Sequence, residues 1–262
     1  MLMASWLEDY NFVFWIFGLV TAFYLGTPLI ILFSQKLSAK PLLTPLQMHS
    51  LDSQLSAFLM EKTTGLYELG FDEPTLLSMP NATPGVKGYL VTLVNRPAGD
   101  KAMVTCLVGD GAGAKLQTWY VEFSTRYDDD SVVDTLNSSE LSAFPPGGKT
   151  IRTQVPSVTE VAQLYHLHQF VMNRHFPQKR KTLFEPDEVV KYLHENAFKK
   201  AYEEQVQRGW LKLEAGGANY WPTVKGAYLM TWGLLPPMKW FRMAKLKKQE
   251  QAILTEFRNS SR

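Results

Sequence analysis

The longest apolar segment of the chain runs from residue 11 to residue 33 and contains no charged side chain. As a helix these 23 residues would extend about 35 Å, more than the roughly 30 Å of a bilayer's hydrocarbon core. A cleavable signal peptide is the alternative, but it has a basic start and a shorter apolar run. Residues 1–10 instead contain Glu8 and Asp9 and no basic residue. The pattern therefore predicts an uncleaved transmembrane helix at 11–33.

The charges that flank this helix predict its orientation. Lys36 and Lys40 follow it in a linker at 34–43, whereas no basic residue precedes it. Because positively charged flanks stay in the cytoplasm, we expect a single-pass protein of the cell membrane with residues 1–10 outside and the C-terminus in the cytoplasm. Membrane lipid is therefore the first predicted partner.

Beyond the linker, apolar positions recur with the period of about 3.6 that is typical of a helix. Thr44, Pro45 and Gln47 match a capping box with proline at the first helical position. The apolar stripe after this box consists of Leu51, Leu55, Phe58, Leu59 and Leu66. These features predict a helix at 45–69.

The period then shortens to about 2, which is typical of strands. Segments with this pattern, separated by short turns, lie at 88–96, 101–109, 118–127 and 131–138. Short turns between strands predict an antiparallel meander of four strands. One helix packed on such a sheet gives an α+β domain at 44–150, with the loop AFPPGG near its end.

Residues 151–235 have the pattern of a mostly helical domain. Ser157 and Glu160 match a second capping box and predict a helix at 158–174. Pro186 opens a further helix, which Gly209 ends. A hairpin at 210–221 and a last helix, capped by Thr223, complete the predicted domain.

The run QRGWLKLEAGGANYWPTVKGAYL resembles the end of a winged-helix domain: helix, strand, wing, strand, and a helix that starts Thr-x-Lys-Gly. The resemblance covers about 155–235. It implies a helix at about 196–208, just before the wing. In many winged-helix domains the corresponding helix binds DNA, whereas other winged-helix domains bind protein. The surplus on this helix is one positive charge, from Lys199, Lys200 and Arg208 against Glu203 and Glu204. Because a DNA-binding protein typically makes about 6–10 phosphate contacts, DNA is a disfavoured partner.

The C-terminal segment at 236–262 is a predicted basic amphipathic tail, with seven basic residues against two acidic ones, a balance of +5. Aromatic side chains among basic ones suit the headgroups of anionic lipids. The predicted membrane-surface residues are Lys239, Trp240, Phe241, Arg242, Lys245, Lys247 and Lys248. The alternative is a charged helix that packs on a domain through Ile253, Leu254 and Phe257. The apolar stretch at 227–238 is too short to span a bilayer, so we do not predict a second transmembrane helix.

The residues that support chemistry elsewhere do not form a recognisable set. His166 and His168 would point about 200° apart on a helix and cannot share a metal ion, and His168 falls on an apolar stripe as a partly buried core residue. Cys106 is the one cysteine of the chain, so no internal disulfide is possible. It lies among apolar neighbours, which predicts an inert core thiol. We predict no metal site and no cofactor.

These observations favour a membrane-anchored protein whose cytoplasmic domains bind a protein partner at the membrane. The expected architecture is α+β: a transmembrane helix, a helix with a four-stranded antiparallel sheet, and a winged-helix-like domain. A membrane-tethered transcription regulator is one alternative. An enzyme whose site is assembled from residues scattered along the chain is another, although no catalytic residues can be named from the sequence.

Overall fold

The computed structural model describes residues 2–83, 85–109, 116–182 and 189–260. Its helices are α1 (Leu2–Ser34), α2 (Ser53–Tyr67), α3 (Val161–His175), α4 (Val189–Tyr192), α5 (Lys200–Gln207), α6 (Val224–Trp232) and α7 (Met238–Ser260). A π-helical segment, Leu193–Lys199, joins α4 to α5. The strands are β1 (Leu37–Ser38), β2 (Thr44–Pro45), β3 (Asp72–Thr83), β4 (Val86–Asn95), β5 (Asp100–Gly109), β6 (Leu116–Tyr127), β7 (Val132–Leu136), β8 (Thr150–Gln154), β9 (Lys181–Thr182), β10 (Leu211–Leu213) and β11 (Asn219–Pro222).

Helix α1 contains the predicted apolar segment. Within the described part of the chain it is the one helix long and apolar enough to cross a membrane, over Val13–Ser34, with a mean hydropathy of 2.1. From Val13 to Phe23 every side chain is exposed. The helix expected at 11–33 is therefore present, and it begins earlier than predicted.

The chain folds into two compact units. The first, which we call the helix–hairpin unit, comprises Met1–Ala39, Leu141–Pro145 and Tyr202–Met243. The second, the sheet unit, comprises Lys40–Glu140, Pro146–Ala201 and Ala244–Arg262. The predicted domains at 44–150 and 151–235 follow the order of the chain, whereas both units are assembled from three separate stretches. Whether those predicted domains fold separately stays a prediction.

The sheet unit is built on a mixed sheet of eight strands, in the order β2-β3-β4-β5-β6-β7-β8, with β9 paired to β6. The four predicted strands are β4 to β7, and their antiparallel pairing is confirmed. The prediction of a four-stranded sheet is wrong. In β3 the alternating pattern is interrupted by Pro74, Pro80 and two register shifts. The short strand β8 pairs in parallel with β7 across a long connection. Neither strand therefore shows a period of 2 bounded by a tight turn.

Both predicted capping boxes are wrong. Thr44 and Pro45 form β2 and pair with Ser78 and Leu77 of β3, because tertiary pairing overrides a local helix signal. Helix α2 begins at Ser53 instead, capped by Asp52, whose carboxylate accepts the Gln54 N–H at 2.9 Å.

The second failure lies at the start of α3. This helix begins at Val161, and Glu160 at its N-cap makes no side-chain hydrogen bond. The Ser157 N–H donates to the carboxylate of Glu250 on α7, at 2.7 Å. The Ser157 N–H, which the capping box assigned to the nearby Glu160, therefore binds the carboxylate of Glu250, far away in sequence.

The main core lies on one face of the sheet, where α2 and α3 pack against inward side chains such as Val104, Val121 and Phe123. Ile253, Leu254 and Phe257 of α7 pack against the same core. A smaller cluster lies apart from it and joins Leu77 and Leu90 of the strands to Val189 and Leu193.

The helix–hairpin unit confirms the predicted hairpin and final helix. Strands β10 and β11 pair antiparallel, and β1, directly after α1, adds a third strand to them. Gly209 has a positive φ of 72°, which suits the residue after a helix end. Thr223 caps α6 by accepting the Gly226 N–H at 3.1 Å. The predicted helix start at Pro186 lies outside the described residues, and the winged-helix resemblance stays a prediction.

Candidate functional site

The predicted membrane-surface residues lie in the first half of α7, most of them fully accessible. Trp240 and Phe241 are each 66% exposed, and the four lysines of the set are exposed as well. Arg242 is half-buried and donates to the carbonyl oxygens of Gly233 (2.9 Å) and Ser142 (2.7 Å). The structure therefore places six of the seven residues on the surface and uses the seventh to bind the backbone.

These residues do not form one polar stripe. At about 100° per residue, Lys239 and Lys245 point about 120° apart around the helix, whereas Lys245 and Lys248, three residues apart, share a side. The expectation of a basic amphipathic tail therefore stays a prediction. Lys239 precedes the exposed aromatic pair along the helix and Lys245 follows it. Such an arrangement is found in interfacial segments, whose long side chains reach past an apolar surface.

The second half of α7 has the packing role that was the alternative interpretation of the tail. Glu250 is buried, as is Leu246 near the end of the first half, and Phe257 meets Phe170 with ring centroids 5.6 Å apart. Arg174 forms an ion pair with Glu256. Packing therefore accounts for the second half of α7, while Met238, Trp240, Phe241 and Met243 in the first half stay exposed.

Within the helix–hairpin unit, α6 packs along the C-terminal half of α1. The Trp232 indole N–H donates to the carbonyl oxygen of Tyr24 at 2.9 Å. Among residues 13–34 of α1, those at least partly covered are Tyr24, Gly26, Thr27, Pro28, Ile31 and Leu32. Most recur every three or four residues and so lie on one side of the helix.

The close approach of α6 to the hairpin depends on a glycine. A Cβ placed on Gly226 would lie 1.8 Å from the backbone oxygen of Trp210, far inside any allowed contact. The same oxygen accepts the Thr223 N–H at 3.0 Å. The Thr-x-Lys-Gly run that suggested a winged helix thus has a packing reason for its glycine.

An open recess of about 790 Å³ lies where α1 ends beside the hairpin. Its lining is largely apolar and includes Leu32, Phe33, Leu213, Trp221 and Val224, together with Lys212 and Glu214. Recesses of this volume are within the range that holds small ligands.

The sheet unit contains a buried polar network around Asp100, which is 1% exposed. The Asp100 carboxylate accepts the Thr125 hydroxyl (2.6 Å), the Tyr165 hydroxyl (2.9 Å) and the Lys181 ammonium (2.8 Å). Because the one Thr125 proton goes to Asp100, Nε2 of His168 donates to Thr125 Oγ1 at 2.9 Å.

The imidazole of His168 is neutral in this network. Its Nδ1 accepts from the Thr135 hydroxyl at 3.0 Å, and burial lowers the pKa of His168 to about 4. The side chain is fully buried, whereas the apolar stripe of the sequence predicted a partly buried core residue. The network therefore lies inside the sheet unit, and its Lys181 side chain, 31% exposed, reaches the surface.

A second group of polar side chains crosses β6, β7 and β8 on the face opposite the main core. Glu122 and Asp134 are diagonal neighbours on β6 and β7, and Arg152 lies opposite Asp134 with its guanidinium 3.3 Å from the carboxylate. Burial, and then the charge of Asp134, raises the pKa of Glu122 to about 7. A half-buried carboxyl that titrates near neutral pH is where an enzyme interpretation would begin.

Neither polar group could be recognised in the sequence, because their members come from strands and helices far apart in the chain. Asp100, at the start of β5, and Lys181, in the two-residue β9, belong to no recognisable sequence motif. Cys106 is buried, and burial raises the pKa of its thiol to about 12, in agreement with the prediction of an inert core residue.

The chain was compared with models of protein families, with curated proteins and with solved structures. None of them matches it. The interpretation of the molecule therefore rests on its own geometry.

Proposed function

We propose that this chain is a single-pass membrane protein, anchored by α1, whose folded remainder binds a protein partner at the cytoplasmic surface. The exposure of α1 carries the proposal, since large apolar side chains such as Phe14 (70%) and Trp15 (79%) face outward. In water such a contiguous apolar surface would drive association, whereas acyl chains cover it without that penalty.

The flanking residues support the orientation and the surface contact. Lys36 is exposed just beyond α1, which favours a cytoplasmic location for the folded remainder of the chain. In the first half of α7 the exposed Trp240 and Phe241 stand beside Lys239, a combination suited to anionic headgroups. The winged-helix-like part of the chain is then best regarded as a protein-binding element.

The regulator alternative has less support. Three cations of the helical stretch before the wing pair with carboxylates: Lys199 with Glu195 at 3.1 Å, Lys200 with Asp130 at 3.0 Å and Arg208 with Glu204 at 2.9 Å. Basic side chains that already form ion pairs with carboxylates bind phosphates less strongly. The enzyme alternative rests on Glu122 alone.

Alkaline extraction of membranes tests the anchoring. The intact protein should stay in the membrane fraction until detergent is added. Changing Val20 and Phe23, both exposed on α1, to Arg should release it, because each central Arg costs about 2.5–3.5 kcal/mol on insertion scales. The matched control changes the same two residues to Leu and should remain membrane-bound. Extraction of the unaltered protein by alkali would refute the proposal.

The orientation and the partner need separate measurements. A reporter that works only in the cytoplasm should be active when fused after the last residue, and an export-dependent reporter should be silent there. Chemical cross-linking in intact membranes should give a discrete adduct larger than the chain. If only the uncross-linked chain is recovered, the partner-binding part of the proposal fails while the anchoring part stands.

A further inference from the structure

We propose that α6 and the first residues of α7 are embedded beside α1 in the leaflet at the C-terminal end of α1. The protein would then enter the bilayer with a short re-entrant hairpin, residues 226–241, as well as with its spanning helix. This inference rests on the proposed anchoring by α1 and extends it, because a hairpin that turns back in one leaflet differs from a second transmembrane helix.

The depth of the hairpin can be worked out from contacts within the helix–hairpin unit. Strand β1, directly after α1, pairs Leu37 with Tyr220 of β11, so α6 begins near the level at which α1 ends. Its last residue, Trp232, donates to the Tyr24 carbonyl. Tyr24 lies ten residues before Ser34, which is about 15 Å along the helix axis. If Val13–Ser34 spans the bilayer, the end of α6 lies near the middle of a hydrocarbon core of roughly 30 Å.

The surface of this segment is apolar enough for that depth. Residues 226–238 contain no charged side chain. Several large apolar groups in and directly after this stretch are exposed: Trp232 (41%), Met238 (48%), Trp240 and Phe241 (66% each). This exposed surface adjoins α1, because the Trp232 indole N–H donates to the Tyr24 carbonyl. Acyl chains are the occupant that this adjacency selects, because α1 is itself exposed to them.

Several backbone and hydroxyl groups of the turn have internal partners, as a lipid environment requires. The Thr231 hydroxyl donates to the Ala227 carbonyl at 2.9 Å. The Gly233 carbonyl accepts from the Arg242 guanidinium, and the Leu234 N–H donates to the Thr231 carbonyl at 3.0 Å. The next two prolines, Pro236 and Pro237, have no N–H to satisfy.

The two cations near the turn fit the same placement. The guanidinium of Arg242 binds two backbone carbonyls, a pairing that makes an intramembrane Arg tolerable. Lys239 is exposed, and its flexible stem can extend toward the headgroups.

Spin labels on the full-length protein in phospholipid vesicles test the inference. Cysteine replaces Met238 in one variant and Phe241 in another. Ile30, 65% exposed on α1, marks the hydrocarbon core, and Glu61, with a side chain 69% exposed on α2, marks water. Cys106 is fully buried and its thiol has a raised pKa, so it should not take up the reagent.

Collisions with dissolved oxygen, which concentrates in the bilayer, are compared with collisions with a water-soluble nickel chelate. Labels at Met238 and Phe241 should show an oxygen-to-nickel ratio several-fold above that at Glu61 and close to that at Ile30. If Ile30 shows the lipid ratio and both test labels show the water ratio, the re-entrant hairpin is overturned and the anchor stands. Protection of both test labels from both reagents also overturns it, since a protein then covers them. A water ratio at Ile30 would refute the anchoring itself.

Discussion

The Asp100 network offers a sharp test of what holds the sheet unit together. Asp100→Asn keeps the shape of the side chain but removes its charge and one of its two acceptor oxygens. The carboxylate now accepts from Thr125, Tyr165 and Lys181. In the variant one of these donors faces an amide N–H₂, and the Lys181 ammonium loses its carboxylate.

The expected cost is about 3–5 kcal/mol, the range for breaking a buried ion pair by removing one partner. We expect the lower end, because the Lys181 side chain is 31% exposed and water can solvate part of its charge. The matched control is Glu195→Gln, which removes the exposed ion pair with Lys199. Water screens an exposed pair of this kind, so the control should barely change stability.

Hydrogen exchange of the intact protein in detergent micelles, followed by mass spectrometry, measures the loss of stability in the strands and helix around Asp100. Amides of β5, β6 and α3 should exchange faster in Asp100→Asn, by the factor that corresponds to the lost free energy. Urea unfolding gives the same quantity globally. If Asp100→Asn costs no more than the Glu195 control, the network is not a stabilising element and our reasoning about it is wrong.

Three further outcomes are expected. Gly226→Ala should cost at least about 3 kcal/mol, the upper end of ordinary overpacking, because the new Cβ meets backbone; urea midpoints that match a Gly216→Ala control, where space is open, would contradict this. His168 binds its proton at about pH 6.5 when unfolded but only near pH 4 when folded, so it lowers stability as pH falls from 6.5 to 4. Glu122 binds a proton at about pH 7 when folded and near 4.5 when unfolded, which raises stability as pH falls through that range. Glu122→Gln should therefore lose more stability than the natural protein between pH 7 and 4.5, and an unchanged pH profile of the urea midpoint would exclude this role. Changing Lys245, Lys247 and Lys248 to Gln should weaken the affinity of a synthetic peptide of residues 236–262 for anionic vesicles at low salt. Equal binding by the altered and unaltered peptides would refute lipid contact through these lysines.

Local patterns predicted the elements that local forces determine. The uncharged run at 11–33 predicted a helix correctly because its length and composition are decisive without any partner. The strands β4 to β7 were predicted from alternation and tight turns. Thr223 and Gly209 were correctly assigned as helix boundaries, since a cap depends on neighbours three or four residues away.

The prediction failed where distant segments compete with local signals. Thr44 and Pro45 pair with β3 instead of capping a helix, and Ser157 gives its N–H to Glu250. The extra strands of the sheet were missed for the same reason, because their pairing partners cannot be read from their own sequence.

The sequence by itself determined that this chain carries an apolar helix fit to cross a bilayer, a meandering sheet, and a basic, aromatic tail. These features depend on composition and on periods of a few residues. Only the tertiary structure decided that α7 is divided into an exposed first half and a packed second half. It also decided that α6 lies against α1, and that Asp100, His168 and Lys181 meet in one buried network. Such contacts join residues from 25 to more than 200 positions apart, and their free energy exists only once the chain has folded and excluded water from them.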